Sequence, residues 1–165
     1  MGPMEIIKGQ RLLIVDDEED ILETLTEFLK PAKLDRASNF KDAKQLLESN
    51  NYDLAILDIM GVSGFELLAI ARQKRIPALM LTAHGLSEEN LKRSAAEGAS
   101  YYAPKDEIFN IATFVAEVLE AEEEKKSPWE KWFKRLGWYY DRRFGGTDWR
   151  EKEKEFWNKK MRVVE

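Results

Sequence analysis

The chain contains no cysteine. That excludes disulfides, zinc thiolate centres and a cysteine nucleophile, and it fits a reducing cytoplasm. No apolar run approaches the roughly 20 residues that a membrane-spanning helix needs. The N-terminus, Met1-Gly2-Pro3-Met4-Glu5, has no basic stretch followed by an apolar one, so no signal peptide is expected. Gly2 does not read as a myristoylation site, because Ile6 stands where Ser or Thr is required. Histidine occurs once, as His84, which reads as a loop residue in preference to an acid–base group. Internal repeats and low-complexity segments are absent. The length of 165 residues suits one medium domain with a real core plus something small.

Charge divides the chain in two. Residues 1–124 carry 13 Lys/Arg against 24 Asp/Glu, net -11, and residues 125–165 carry 13 against 7, net +6. All five tryptophans (Trp129, Trp132, Trp138, Trp149 and Trp157) lie in the basic part. Two composition regimes suggest two units, with the boundary in the stretch 122–128.

The first unit alternates short apolar runs with helix-length segments. Strands are expected at 12–16, 33–37, 53–57, 78–81 and 99–102, and helices at 18–30, from Asn39, at 65–72, from Ser87 and at 108–121. Asn39 and Ser87 serve as N-caps, and Gly98 ends the fourth helix. The run 33–37 is more polar and belongs at a sheet edge. Parallel strands joined by right-handed crossovers give a doubly wound α/β fold, a five-stranded parallel sheet of flavodoxin-like order 2-1-3-4-5. A C-terminal helical extension follows. Ser127-Pro128-Trp129-Glu130 reads as a capping box with Pro at the first helical position. Gly145-Gly146 stops that helix, and Thr147 starts a second, giving a helical hairpin over 125–165. About forty residues cannot bury so much aromatic surface alone. The tail must therefore pack on the first unit, on another copy or on a partner.

In parallel sheets the ligand crevice lies beyond the carboxyl ends of the strands. Asp16 and Asp17 follow the first strand, Asp58 the third, and Lys105 the fifth, while Thr82 closes the fourth. Converging carboxylates stay ionised only around a cation, and hard oxygen ligands favour Mg2+ or Mn2+. Asp58 is suited to act both as a ligand and as a nucleophile that takes a phosphoryl group as an aspartyl phosphate. Charge developing on the transferred oxygens calls for the metal, for Lys105 and for the hydroxyl of Thr82.

This set resembles the receiver domain of two-component response regulators, over roughly residues 10–122. Asp16 and Asp17 match the acidic pair, Asp58 the phosphoacceptor, Thr82 the switch hydroxyl and Lys105 the lysine after the fifth strand. Tyr102 matches the aromatic that changes rotamer on activation. The resemblance implies that Asp17, Asp58 and the main-chain carbonyl of Met60 hold Mg2+ directly, with Asp16 acting partly through water. It also implies a histidine kinase or phosphotransfer protein as donor, slow self-hydrolysis, and no catalysis on other substrates. Met60 and His84 occupy positions that tune dephosphorylation in receivers. The chain departs from the family in two places. Its run Asp58-Ile59-Met60-Gly61-Val62-Ser63-Gly64 is about two residues shorter than usual and lacks the proline, and Pro104 precedes Lys105 instead of following it.

The expected role is a cytoplasmic, phosphorylation-dependent signalling module that acts through protein contacts, with the tail packed on the receiver or forming a homodimer. The tail shows no evident helix-turn-helix, and its broad aromatic faces suit protein contact better than DNA. A transcriptional regulator whose basic tail binds DNA is the alternative. Membrane partners are not expected.

Overall fold

A computed structural model describes residues 1–83 and 86–162; His84 lies outside the described residues. Five strands form one parallel sheet: β1 (Arg11–Val15), β2 (Lys33–Ala37), β3 (Leu54–Leu57), β4 (Ala78–Thr82) and β5 (Tyr101–Pro104). Their order is β2-β1-β3-β4-β5, as expected. Every residue of β3 and β4 is buried, because helices cover both faces of a parallel sheet. The edge strand β2, more polar as expected, buries only Ala37.

The helices among the described residues are α1 (Pro3–Ile7), α2 (Glu19–Phe28), α3 (Phe40–Ser49), α4 (Gly64–Gln73), α5 (Glu88–Ala96), α6 (Ile111–Glu124), α7 (Pro128–Arg143), α8 (Asp148–Glu151) and α9 (Lys154–Lys160). α2 packs against α6, and α3 against α4. Asn39 and Ser87 cap as expected, whereas the Ser127 hydroxyl accepts from the Trp129 amide instead of the Glu130 amide of a capping box, and Thr147 makes no side-chain cap bond. Asn39 accepts from the Asp42 amide at 2.8 Å, and Ser87 accepts from the Asn90 amide at 3.0 Å. α1, which buries Ile7 against α6, is not foreshadowed by the hydrophobic pattern.

β5 begins two residues later than its apolar run suggests. Ala99 donates back to the Ser94 carbonyl at 2.8 Å and so still belongs to the closure of α5. The strand therefore extends to Pro104. Proline is tolerated there because an edge position asks for no further donor. A 3-10 turn over Lys105–Asn110 then leads into α6, which starts three residues later than expected.

The tail seats itself on β5. Trp129 Nε1 donates to the Ala99 carbonyl at 3.1 Å, and Trp132 Nε1 and the Tyr140 hydroxyl donate to the Tyr102 carbonyl at 2.8 and 3.0 Å. These bonds satisfy one main-chain acceptor of the edge strand, at Tyr102, and one just before it, at Ala99. Ion pairs fasten both flanks. Lys92–Glu153 (2.9 Å) and Lys152–Glu88 (3.1 Å) tie the tail to α5, while Arg135–Glu117 (2.6 Å) and Lys131–Glu120 (3.8 Å) tie it to α6. The charge asymmetry of the sequence is thus partly satisfied within one chain. The second tail helix is broken at Glu153, where φ/ψ of -117/32 leave the helical region. The break lets Trp149 and Trp157 both reach Trp132, with ring centroids 6.1 and 5.9 Å away. Trp129, Trp132, Trp149 and Trp157 are buried and belong to the same core cluster as the sheet.

Trp157→Ala is expected to lower stability by about 3–5 kcal/mol through the cavity it leaves. Urea unfolding followed by tryptophan fluorescence and by far-UV circular dichroism should give coincident transitions in both proteins, because tail and sheet share one core.

Candidate functional site

Sheet register places the candidate residues on one rim. Val15 lies opposite Leu57, Leu57 opposite Met80, and Thr82 opposite Pro104. The residues just beyond these ends, Asp16, Asp58 and Lys105, meet. The Lys105 ammonium lies 2.8 Å from Asp16 Oδ2 and 3.6 Å from Asp58 Oδ1. Asp16, Asp58 and Thr82 are at most 4% exposed. Thr82, at the end of β4, shares this rim.

Glu18 was not singled out by the motif. Its Oε1 lies 3.1 Å from Lys105 Nζ, and its amide donates to Asp16 Oδ1 at 2.9 Å. Its position directly after the acidic pair is the signal that would mark it. One carboxylate oxygen each from Asp16, Asp17 and Glu18 fall within 4.8 Å of one another. These hard oxygen donors, with Asp58 alongside, fit a dication of the Mg2+ type.

The chain from Asp58 to α4 is wound tightly. A Cβ at Gly64 would sit 2.1 Å from the main-chain oxygen of Asp58, so no side chain fits there. Gly61, at φ +84, lies against Asp17; a Cβ would be 2.4 Å from Asp17 Oδ2. The shortened loop thereby brings main chain directly against the acidic pair. Met60 lies in this loop with its side chain half exposed.

Electrostatics follow from burial and crowding. Burial pushes the Asp58 carboxyl up to about 7, with repulsion from Asp16 adding to it and Lys105 opposing it. Asp16 is raised chiefly by burial, against the hydrogen bond from Lys105. Burial alone would lower Lys105, but its contacts with Asp16, Asp58 and Glu18 outweigh that and raise it. Such a site stabilises an added cation and an anion held between cation and ammonium.

Tyr102 is fully buried. Its hydroxyl accepts from the Ser87 amide at 3.2 Å, and its ring lies 5.7 Å from that of Tyr140.

The sequence profile of the response regulator receiver domain matches residues 12–117. Over 114 residues the chain is 38% identical to the transcriptional regulatory protein CusR of Escherichia coli (strain K12), an overlap of 66% of this chain and 49% of CusR. The chain spans about half the length, or less, of the curated relatives it matches. A CheY-like response regulator receiver domain protein from Methanospirillum hungatei JF-1 superposes with a TM-score of 0.65 at 27% identity, over 71% of this chain and 98% of that one. The response regulator TrrA from Thermotoga maritima, solved in complex with Mg2+-BeF, gives 0.51 at 36% identity, over 58% and 85%.

A carboxyl whose folded value is raised from 3.8 to about 7 leaves stability intact below the lower value and removes it as pH rises through the upper one. Without divalent metal, Asp58→Asn should therefore be more stable than the parent at pH 8, by on the order of 1–3 kcal/mol after screening. The gain should shrink toward pH 4. Urea midpoints in EDTA across that range check it; equal midpoints at pH 8 would contradict the crowding argument.

Proposed function

The chain belongs to the response regulator receiver family, and on that footing we propose that it accepts a phosphoryl group on Asp58 from a histidine kinase or a phosphotransfer protein and signals through protein contacts. The supporting observation is the meeting of Asp16, Asp58 and Lys105 at the carboxyl rim of the sheet, with the ammonium touching both carboxylates. Residues 1–124 act as the receiver and 125–165 as its aromatic, basic helical tail.

Asp16, Asp17, Asp58 and the main-chain carbonyl of Met60 would hold Mg2+ or Mn2+. When bound, the ion offsets the clustered negative charge and stabilises the transferring phosphoryl oxygens. An Asp58 carboxylate oxygen attacks phosphorus, and the bond from phosphorus to the donor imidazole nitrogen breaks. Lys105 moves its ammonium from carboxylate to phosphoryl oxygen. Thr82 donates its hydroxyl to another oxygen, and Tyr102 follows that displacement as the switch aromatic. Water later hydrolyses the acyl phosphate. The chain turns over only its own phosphoryl group and is not an enzyme toward external substrates. The setting is cytoplasmic. No helix among the described residues is long and apolar enough to cross a membrane.

A homodimer through the tail has less support, because four of its five tryptophans are buried within one chain. DNA binding by the tail is the second reading, favoured by relatives named as transcriptional regulators. Against it, Lys131, Arg135 and Lys152 are engaged with receiver glutamates. Salt-dependent DNA binding that vanishes without residues 125–165 would establish it.

Incubation with acetyl phosphate and Mg2+ should add one phosphoryl group to the parent by intact mass, and none to Asp58→Asn. EDTA should suppress labelling. A parent that stays unlabelled by small donors, or an Asp58→Asn variant labelled equally, would overturn the assignment.

A further inference from the structure

Tyr102 is the residue at which the phosphoryl site and the tail meet. Its carbonyl takes both the Trp132 indole and the Tyr140 hydroxyl from α7. Its hydroxyl is held by the amide of Ser87, the N-cap of α5, at the far end of the loop that leaves Thr82. Three residues further along the chain, just past the end of β5, stands Lys105, whose ammonium lies near Asp16 and Asp58. Ala103 and Pro104, the link between them, are buried within β5.

We infer that Trp132 and Tyr140 are positioning residues for the phosphoryl site, and that through them α7 and Asp58 bias one another. This inference rests on the phosphoacceptor reading of Asp58. A buried carbonyl that loses its donors is costly, so α7 does not slide away from Tyr102 without either breaking both bonds or carrying β5 along. β5 runs unbroken from Tyr102 to Pro104, so displacement at 102 is carried to the residue bonded to Lys105. α7 itself is not loose. Arg135 grips Glu117 at 2.6 Å, and the same Glu117 oxygen accepts from the Tyr101 hydroxyl at 3.0 Å, one residue before the junction. The tail thus holds adjacent residues of β5, one by its main chain and the other through its side chain. Coupling between two sites is reciprocal. Whatever a phosphoryl group at Asp58 does to the seat of α7, the seat of α7 returns to the affinity of Asp58 for that group.

The test uses the full chain and beryllofluoride with Mg2+ as the phosphoryl mimic. Calorimetric titration compares the parent with Tyr140→Phe, which keeps the ring and removes one donor, and with Trp132→Phe. Trp138→Phe is the control, since that exposed indole donates only within its own helix, to the Arg135 carbonyl. Amide exchange over residues 128–143 is followed with and without the mimic. The expected result is a change in beryllofluoride affinity of about fivefold or more in Tyr140→Phe, with Trp138→Phe close to the parent, and altered exchange in α7 of the parent. A purely structural role would lower thermal stability and leave that affinity alone. Should Tyr140→Phe fail to fold, Trp132→Phe and the parent's exchange decide. Beryllofluoride binding that is equal in all four proteins, with exchange over 128–143 unchanged, overturns the inference and leaves Asp58 intact as acceptor. No binding to the parent, or equal binding to Asp58→Asn, overturns the acceptor reading and this inference together.

Discussion

The ammonium of Lys105, almost wholly buried, stands among the carboxylates of Asp16, Glu18 and Asp58. Much else in the molecule is arranged around that balance. Burial makes the Asp16 and Asp58 carboxylates costly to ionise, and neighbours of like sign make them costlier. One ammonium cannot neutralise three carboxylates, so the rim retains an appetite for a further cation. The fold supplies this tension because the parallel strands end at one rim, with β4 and β5 running two residues past β1 and β3, and deliver their next residues to one place. The tight chain after Asp58 completes it. Gly64 lets the α4 entry lie on the Asp58 carbonyl, and Gly61 lets the loop touch Asp17.

Most of this rim could be read from the residues alone. Strong apolar runs with an acidic or basic residue at each end are local signals, and the strand order follows from connectivity rules. Asn39 and Ser87 likewise cap where their chemistry says they should. What escaped reading depends on contacts distant in sequence. Glu18 resembles any first-turn acid until Lys105, far along the chain, is folded onto it. The start of β5 is set by a return hydrogen bond from Ala99 to Ser94, which no hydrophobic pattern encodes. α1 is too short for periodicity to reveal. The break between α8 and α9 arises because Trp149 and Trp157 share one target, Trp132.

The tail illustrates the same limit from the other side. Its aromatic content demanded a cover, and its charge was opposite to that of the receiver, but neither property selects an edge strand over a partner. The choice is made by three side-chain donors finding main-chain acceptors, two of them at Tyr102 on β5 and one at Ala99 just before it. Indole and phenol groups combine apolar area with one polar handle, so the same residues fill the core and satisfy the strand. The ion pairs at α5 and α6 then fix orientation more than they add stability, since most are partly exposed.

Closing β5 in this way also changes what the sheet can do with its neighbours in a crowded solution. Open margins of sheets are templates for adding foreign strands, the route to runaway association. Here one margin is sealed by α7. The opposite margin, β2, presents Lys33, Asp35 and Arg36, whose charges resist an incoming strand. Neither margin of the sheet is therefore left as an open template for an incoming strand.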